Sequence, residues 1–335
     1  MDCPYSPIEF RLLNDWQRDF PLTARPFESL ARELDSDEAS VLATLRKLHA
    51  RGAVSRVGAV FAPRRLGAST LAALSVPAER LAEVAALVSA RPEVNHNYER
   101  EHRYNLWFVV TTPDQEMLSR TLDGIAFDTG RLVISLPLVE EFHIDLGFDL
   151  GGAKKRLAGH VCDSGAEAAA SRHEPTHAER RLLAALQPGL DLVERPFLPL
   201  ADKAGMSESD VIGHLTAWLD QGLIKRFGVV VRHRELGYTA NAMVVFDVPD
   251  DEVSVVGARL ASAPGVTLCY RRRRHLPEWP YNLFCMVHGR SREEVVPIIG
   301  QLCELAGHPC EALFSTRRFK QCGARYFHDG DAAQN

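Results

Sequence analysis

Lysine is scarce in this chain. Of its 335 residues 39 are basic, yet only six are lysine (47, 154, 155, 203, 225 and 320), which leaves 33 arginines. Basic charge as a whole is also short. Forty-four acidic residues bring the formal net charge to −5 and disfavour a generally cationic nucleic-acid or membrane binder. No stretch approaches the about 18 consecutive apolar residues of a membrane-spanning helix. The opening Met1-Asp2-Cys3-Pro4, followed by Glu9 and Arg11, lacks the apolar core of a signal peptide. Paired cysteine motifs are missing too. The seven cysteines (3, 162, 269, 285, 303, 310 and 322) show no C-x-x-C or C-x-x-H spacing. Neither a disulfide framework nor a structural zinc site is therefore expected, and a reducing cytoplasm is the expected location. The thiols should behave as small buried hydrophobes.

What is present is a repeat. Val41-Leu42-Ala43-Thr44-Leu45 through Arg56-Val57-Gly58-Ala59-Val60 matches Val211-Ile212-Gly213-His214-Leu215 through Arg226-Phe227-Gly228-Val229-Val230 at an offset of 170. Arg64-Arg65-Leu66-Gly67 matches Arg234-Glu235-Leu236-Gly237. Beyond a short insertion, Pro92-Glu93-Val94 aligns with Pro264-Gly265-Val266 and Tyr98 with Tyr270. A second insertion brings Tyr104-Asn105-Leu106 onto Tyr281-Asn282-Leu283. The length thus reflects one two-part unit written twice.

Periodicity orders the elements within a copy. Helical stripes run over Pro7–Gln17, Phe27–Leu34 and Glu38–Arg51, the last ended by Gly52, and a β-type run follows at Val54–Phe61. Three short helices and a strand predict a winged helix-turn-helix. Then come a strand at Thr70–Val76, a helix at Ala78–Ala90, strands at Val94–Arg100 and Tyr104–Thr112, a helix from Asp114 to Leu122 and a strand at Arg131–Glu141. That order, β-α-β-β-α-β, is ferredoxin-like. The expected fold is therefore α+β: a winged helix-turn-helix at 1–62, a ferredoxin-like domain at 63–150, a linker at 151–177 rich in Ala, Gly and Ser, a second winged helix-turn-helix at 178–233 and a second ferredoxin-like domain at 234–330. The copies should pair as an intramolecular pseudo-dimer, with room for further homo-oligomerisation.

This architecture resembles the Lrp/AsnC transcription regulators over both halves. The third helix would be the DNA reader. Its first-copy start carries Asp35, Asp37 and Glu38, and Ser207–Gln221 in the second copy has no Lys or Arg. Phosphate contacts dominate DNA affinity, so DNA is not an expected partner and these helices should serve packing and dimerisation.

The densest polar run is Asn95-His96-Asn97-Tyr98-Glu99-Arg100-Glu101-His102-Arg103-Tyr104-Asn105-Leu106-Trp107. Its counterpart, Cys269-Tyr270-Arg271-Arg272-Arg273-Arg274-His275, continues to Trp279-Pro280-Tyr281-Asn282-Leu283. Strand alternation puts His96, Tyr98 and Arg100 on one face. Four adjacent arginines repel one another unless acidic neighbours or a polyanion compensate. Arginine forks and interleaved aromatics suit a ligand with several carboxylates, although a GC-rich genome also raises arginine content.

These runs resemble the two subunits of siroheme decarboxylases: His96-Asn97-Tyr98 with His102 to Trp107 the one, and Cys269 to Arg272, Trp279 to Leu283, Met286-Val287-His288-Gly289 and Arg317 to Arg325 the other. The chain is similar to a fusion of both, outside the linker. Leu268 departs from relatives of the second subunit, which often have His there, so that histidine is not carried over. The resemblance implies removal of two acetate carboxyls from siroheme to give 12,18-didecarboxysiroheme on the route to haem d1, with siroheme and its products as partners and no added cofactor. Losing carbon dioxide leaves carbanion character on a CH2 that a histidine can protonate. His102 and His275 are the expected acids or carboxylate orienters, with His96 next, and axial ligation of the substrate iron is the alternative role for one of them. Tyr98, Tyr104, Trp107, Tyr270 and Tyr281 are expected pocket walls and Asn105 a further contact. Arg56, Arg64, Arg100, Arg226, Arg234, Arg271, Arg272 and Arg318 are expected to hold carboxylates, with His143 and Lys320 as weaker flanking candidates. Two alternatives stay open: a ligand-responsive DNA-binding regulator and a non-catalytic tetrapyrrole carrier.

Overall fold

The computed structural model describes residues 4–144, 173–232 and 234–327. Residues 151–172 of the expected linker, 145–150 of the first copy and 328–330 of the second lie outside them. The first copy runs α1 (Pro7–Asn14), α2 (Pro26–Glu33), α3 (Glu38–Ala50), β1 (Val54–Phe61), β2 (Ala68–Leu74), α4 (Leu81–Ala90), β3 (Val94–Arg100), β4 (Leu106–Thr112), α5 (Gln115–Thr129) and β5 (Ile134–Ile144). The second runs α6 (His177–Leu186), α7 (Phe197–Ala204), α8 (Glu208–Asp220), β6 (Ile224–Val231), β7 (Ala240–Phe246), α9 (Val253–Ala261), β8 (Val266–Arg272), β9 (Leu283–Gly289), α10 (Arg292–Ala306) and β10 (Cys310–Gln321). Among the described residues no helix is long and apolar enough to cross a membrane.

The acidic starts of α3 and α8 have local work. Asp37 caps α3 by accepting the Ser40 N–H at 2.8 Å, and Ser207 with Asp210 forms a capping box on α8. Glu38 and Glu208 pair with Arg25 and Arg195, at equivalent places in the two copies. Helix α5 is longer than the sequence suggested. Its buried stripe of Leu118, Thr121 and Ile125 continues past Leu122 to Thr129, and Gly130 stops it in the left-handed conformation with φ 63°.

The copies are joined by their strands. β1 and β6 pair antiparallel with Gly58 opposite Gly228. The remaining eight strands close into a barrel in the order β10-β3-β4-β2-β5-β8-β9-β7. Each copy supplies four adjacent strands, and the two seams, β3–β10 and β5–β8, are antiparallel pairings between copies. Closure leaves the sheet no open edge. Strand alternation sends one set of side chains outward under the helices: β4 buries Leu106, Phe108 and Val110 with α4 and α5. The other set fills the barrel, where Trp107, Leu136, Val245, Trp279, Phe284 and Leu313 plug one end. A third core unites the helices of both copies with β1 and β6.

One expectation about cysteine needs correction. Cys303 and Cys310 form a disulfide, because the chain turns back at Gly307 between α10 and β10 and brings their Cα atoms to 6.0 Å. Cys269 and Cys285 are buried as apolar residues, and Cys322 is half-buried.

Residues Trp16 and Gln17 cross the β1–β6 ribbon so closely that a Cβ on Gly228 would lie 2.3 Å from the Trp16 carbonyl oxygen. Gly213, exposed within α8, has open space around it. Gly228→Ala should therefore lower stability by about 1–3 kcal/mol. Gly213→Ala should raise it by about 0.5–1 kcal/mol through helix propensity. Thermal unfolding reads both, at roughly 2–4 °C per kcal/mol. Shifts of the same sign would contradict this packing.

Candidate functional site

The barrel end opposite the aromatic plug opens under the β1–β6 ribbon and the segment 321–326. Together they bound a cavity of about 450 Å³ lined from both copies. Small-molecule sites are typically about 300–1,000 Å³. Alternation aims His96, Tyr98 and Arg100 of β3, Tyr270 and Arg272 of β8, and Phe284, Met286 and His288 of β9 into it. Arg56 and Arg226 reach it from the ribbon strands. The C-terminal segment is held over the site by Gln187, whose side chain accepts the Tyr326 N–H at 2.5 Å and donates to the Phe327 carbonyl at 2.9 Å. Gly323 lets this segment pass Arg56, whose guanidinium carbon would be 3.0 Å from a Cβ there.

Two arginines cross between copies. Arg100 is buried and donates to the Leu313 carbonyl at 3.0 Å. Arg272 is partly buried and donates to the Leu136 carbonyl at 3.0 Å. Each guanidinium lies against the ring of the tyrosine two residues earlier, 5.9 Å from Tyr98 and 5.3 Å from Tyr270. Desolvation draws both guanidiniums down to about 10, still charged at neutral pH. Burial also lowers Arg56, which donates to the Ala59 carbonyl at 3.1 Å. Among the described residues none of Arg56, Arg100 and Arg272 has a carboxylate partner. Arg226 donates to the Gln17 carbonyl at 2.6 Å. Burial raises the phenols of Tyr98 and Tyr270 above their ordinary value, so they stay neutral.

The histidines break the twofold pattern. His96 stacks on Tyr98, with centroids 6.2 Å apart, and Leu268 takes its place in the second copy. His288 sits with Nδ1 2.9 Å from Thr267 Oγ1, and Thr111 takes its place in the first copy. Cys322 also lines the wall. Among the described residues no cluster of three or more His, Cys, Asp or Glu could hold a metal ion.

Several expected contacts lie elsewhere. His102 does not line the cavity. Its Nδ1 accepts the Tyr104 N–H at 2.9 Å and its Nε2 lies 3.5 Å from Glu311, so the ring locks the β3–β4 turn near Trp279 at the plugged end. Burial lowers its pKa. His275 lies in the β8–β9 turn, bridged through its backbone to Trp279. Tyr104 is buried in the plug, and Tyr281 there donates to Glu311 at 2.9 Å. Asn105 bonds the backbone of Val76 both ways, at 2.9 and 2.8 Å, as Asn282 does Val248. The shared Tyr-Asn-Leu motif is therefore scaffolding. Trp107 lines the cavity floor.

The arginine run divides by strand alternation and acidic neighbours. Arg271 pairs with Asp250 at 3.2 Å and Arg274 with Asp247 and Asp250 at 2.9 and 2.6 Å, so Arg272 is the one that enters the cavity. Arg318 pairs with Glu235 at 2.5 Å, Arg234 reaches the Thr316 carbonyl at 3.5 Å, and exposed Arg64 donates to the Val139 carbonyl. Lys320 donates to the carbonyls of Ser89 and Arg91 at 2.8 Å, fastening the end of α4. His143 lies on β5 opposite Cys269, outside the cavity lining. His288 belongs to the Met286-Val287-His288-Gly289 run that carries the resemblance but is not among the expected site residues. Its alternation with Phe284 and Met286 is the signal that points it inward.

Tandem copies enclosing one cavity define a class. Residues 65–143 and 235–320 match the AsnC-like ligand binding domain, and residues 9–54 and 179–225 match the siroheme decarboxylase NirDL-like HTH domain. The architecture is thus mixed α+β, with two helix-turn-helix and two AsnC-like ligand-binding domains. The chain is 47% identical over 320 residues to the siroheme decarboxylase NirDL subunit of Paracoccus denitrificans, covering 95% of this chain and 96% of that one. It is also similar to the crystal structure of the siroheme decarboxylase NirDL, at 32% identity and TM-score 0.69 over 97% of this chain and 96% of that chain. A second crystal structure of NirDL, in complex with an iron-uroporphyrin III analogue, is 31% identical at TM-score 0.68, covering 97% and 95% of the two chains. The chain belongs to the siroheme decarboxylase family.

Buried cations without acid partners cost stability unless a ligand neutralises them. Arg100→Met and Arg272→Met should each leave the Tm of the ligand-free protein equal to or above the parent's. A marked fall in both would show that these guanidiniums hold the barrel together.

Proposed function

We propose that this chain is a siroheme decarboxylase that removes two acetate carboxyls from siroheme in its shared cavity, giving 12,18-didecarboxysiroheme on the route to haem d1. The observation that carries this reading is the set of guanidiniums with no carboxylate partner among the described residues, Arg56, Arg100 and Arg272, in a cavity that also holds aromatic rings and two histidines. A polycarboxylate macrocycle supplies the missing negative charge, and arginine forks suit it. The similar NirDL holds an iron-uroporphyrin III analogue, which supports a flat tetrapyrrole here. The strand order of each half supports the ferredoxin-like reading, and three helices with a single strand support the winged helix-turn-helix.

The chemistry needs little from the protein beyond placement and a proton. The reacting acetate loses carbon dioxide, its C–C bonding pair stays on the CH2, and one proton converts that carbon to a methyl group. Conjugation with the macrocycle spreads the charge in the meantime, so no further cofactor enters this scheme. Arg100 and Arg272 fix spectator carboxylates from opposite halves, and Arg56 closes the ribbon side. The apolar floor of Trp107 and Phe284 keeps water from the reacting carboxylate, whose charge is dispersed as carbon dioxide leaves. His96 and His288 line the cavity and are placed to hold the proton. His102 and His275, fixed in the hairpin turns, are not.

Anaerobic incubation with siroheme, followed by product mass, should show two successive losses of carbon dioxide. Pigment bound but unchanged would reduce the protein to a carrier. His96→Ala and His288→Ala should each slow turnover by about 100-fold or more, in line with loss of general acid catalysis, while still binding the pigment. His275→Ala should keep turnover within about twofold. Full activity in both cavity variants would remove their assigned role.

A further inference from the structure

The contact between Thr267 and His288 bears on which nitrogen of the ring carries its proton. A threonine hydroxyl has one proton to give. Thr267 Oγ1 lies 3.1 Å from the Met286 carbonyl oxygen, which can only accept, and 2.9 Å from His288 Nδ1. With the hydroxyl proton directed to the carbonyl, the second contact is made by a proton on the ring. In that arrangement the neutral ring is the Nδ1–H tautomer, and Nε2 is its basic nitrogen.

The other half shows what this pairing replaces. There Asn95 stands where Thr267 stands and donates from Nδ2 to the hydroxyl of Thr111, the counterpart of His288, at 3.5 Å. The hydroxyl has changed strands: it is on β4 in the first copy and on β8 in the second, and the group facing it has become an imidazole. Both pairs line the same cavity. The exchange brings a titratable group into the site with its orienting acceptor already in place.

We propose that Thr267 is a positioning residue that holds His288 as the Nδ1–H tautomer and so makes Nε2 the atom that takes up and delivers the proton. The consequence for catalysis rests on the decarboxylase reading. A neutral ring with its proton on Nε2 would become an imidazolate on giving it up, which is a poor acid. A ring held at Nδ1 picks up a second proton at Nε2, becomes imidazolium, passes that same proton to the CH2 left by carbon dioxide, and returns to its starting tautomer. The Thr267 hydroxyl accepts from Nδ1–H throughout, as partners of metal-bound or catalytic histidines commonly do.

Two measurements test this. In the ligand-free protein with 15N-labelled histidine, long-range 1H–15N correlation spectra should show neutral His288 as the Nδ1–H form, its signals assigned by their loss in His288→Gln. Thr267→Val should shift it toward Nε2–H, and Thr267→Ser should restore the parent pattern. With siroheme, Thr267→Val should lower kcat about 10-fold or more, the scale of losing an orienting partner, with KM changed less than about twofold. Thr267→Ser should recover most of the loss. An Nε2–H ring in the parent, or a Thr267→Val protein with unchanged spectrum and kcat, would overturn the proposal. A parent that leaves siroheme unreacted would defeat the decarboxylase reading, and the spectrum would still decide the tautomer.

Discussion

Closure of the barrel is the constraint on which everything else depends. Either four-stranded sheet alone would expose two edges and the apolar face that now carries Trp107, Leu136, Phe284 and Leu313. Pairing β3 with β10 and β5 with β8 removes those edges and turns the two faces into one interior. The cavity is a product of that closure. Arg100 reaches β10 of the other copy and Arg272 reaches β5 of the other, so the seams that close the barrel also position the cations.

The interior is divided along its axis. At one end aromatic rings from both copies pack edge to face, with Trp107 and Trp279 centroids 5.0 Å apart. At the other end charge is concentrated where desolvation makes it expensive. A fold selected for stability alone would fill those positions with aliphatic side chains. Three guanidiniums with no carboxylate partner among the described residues, left in contact with carbonyls and tyrosine faces, make sense when a polyanion completes the set. Outside the cavity, Arg271 and Arg274 share Asp250, and Arg318 takes Glu235.

Much of this was legible in the sequence. The repeat exposed the two-copy plan, and alternation from His96 through Arg100 named three residues that share the cavity. The hairpins were harder. His102, Tyr104 and Asn105 stand beside those residues in sequence, but a turn abandons strand periodicity, and their partners (Glu311, Trp279 and Val76) come from distant segments. The four-arginine run misled for a related reason. Asp247 and Asp250 neutralise part of it from a loop more than 20 residues away. His288 is visible in the Met286-Val287-His288-Gly289 run, but a site role for it emerges when Thr267 is seen beside it. The disulfide was hidden, since a spacing of seven residues between cysteines says little until a helix end and a strand start are known to meet.

The central claim is that two copies build one ligand site between them. Native mass spectrometry of the intact chain, mixed anaerobically with a several-fold excess of siroheme, counts bound pigment directly. One tetrapyrrole per chain, with occupancy lost when either Arg100 or Arg272 is replaced by methionine, is the result this account requires. Two tetrapyrroles per chain, or one that persists when both arginines are replaced, would contradict it.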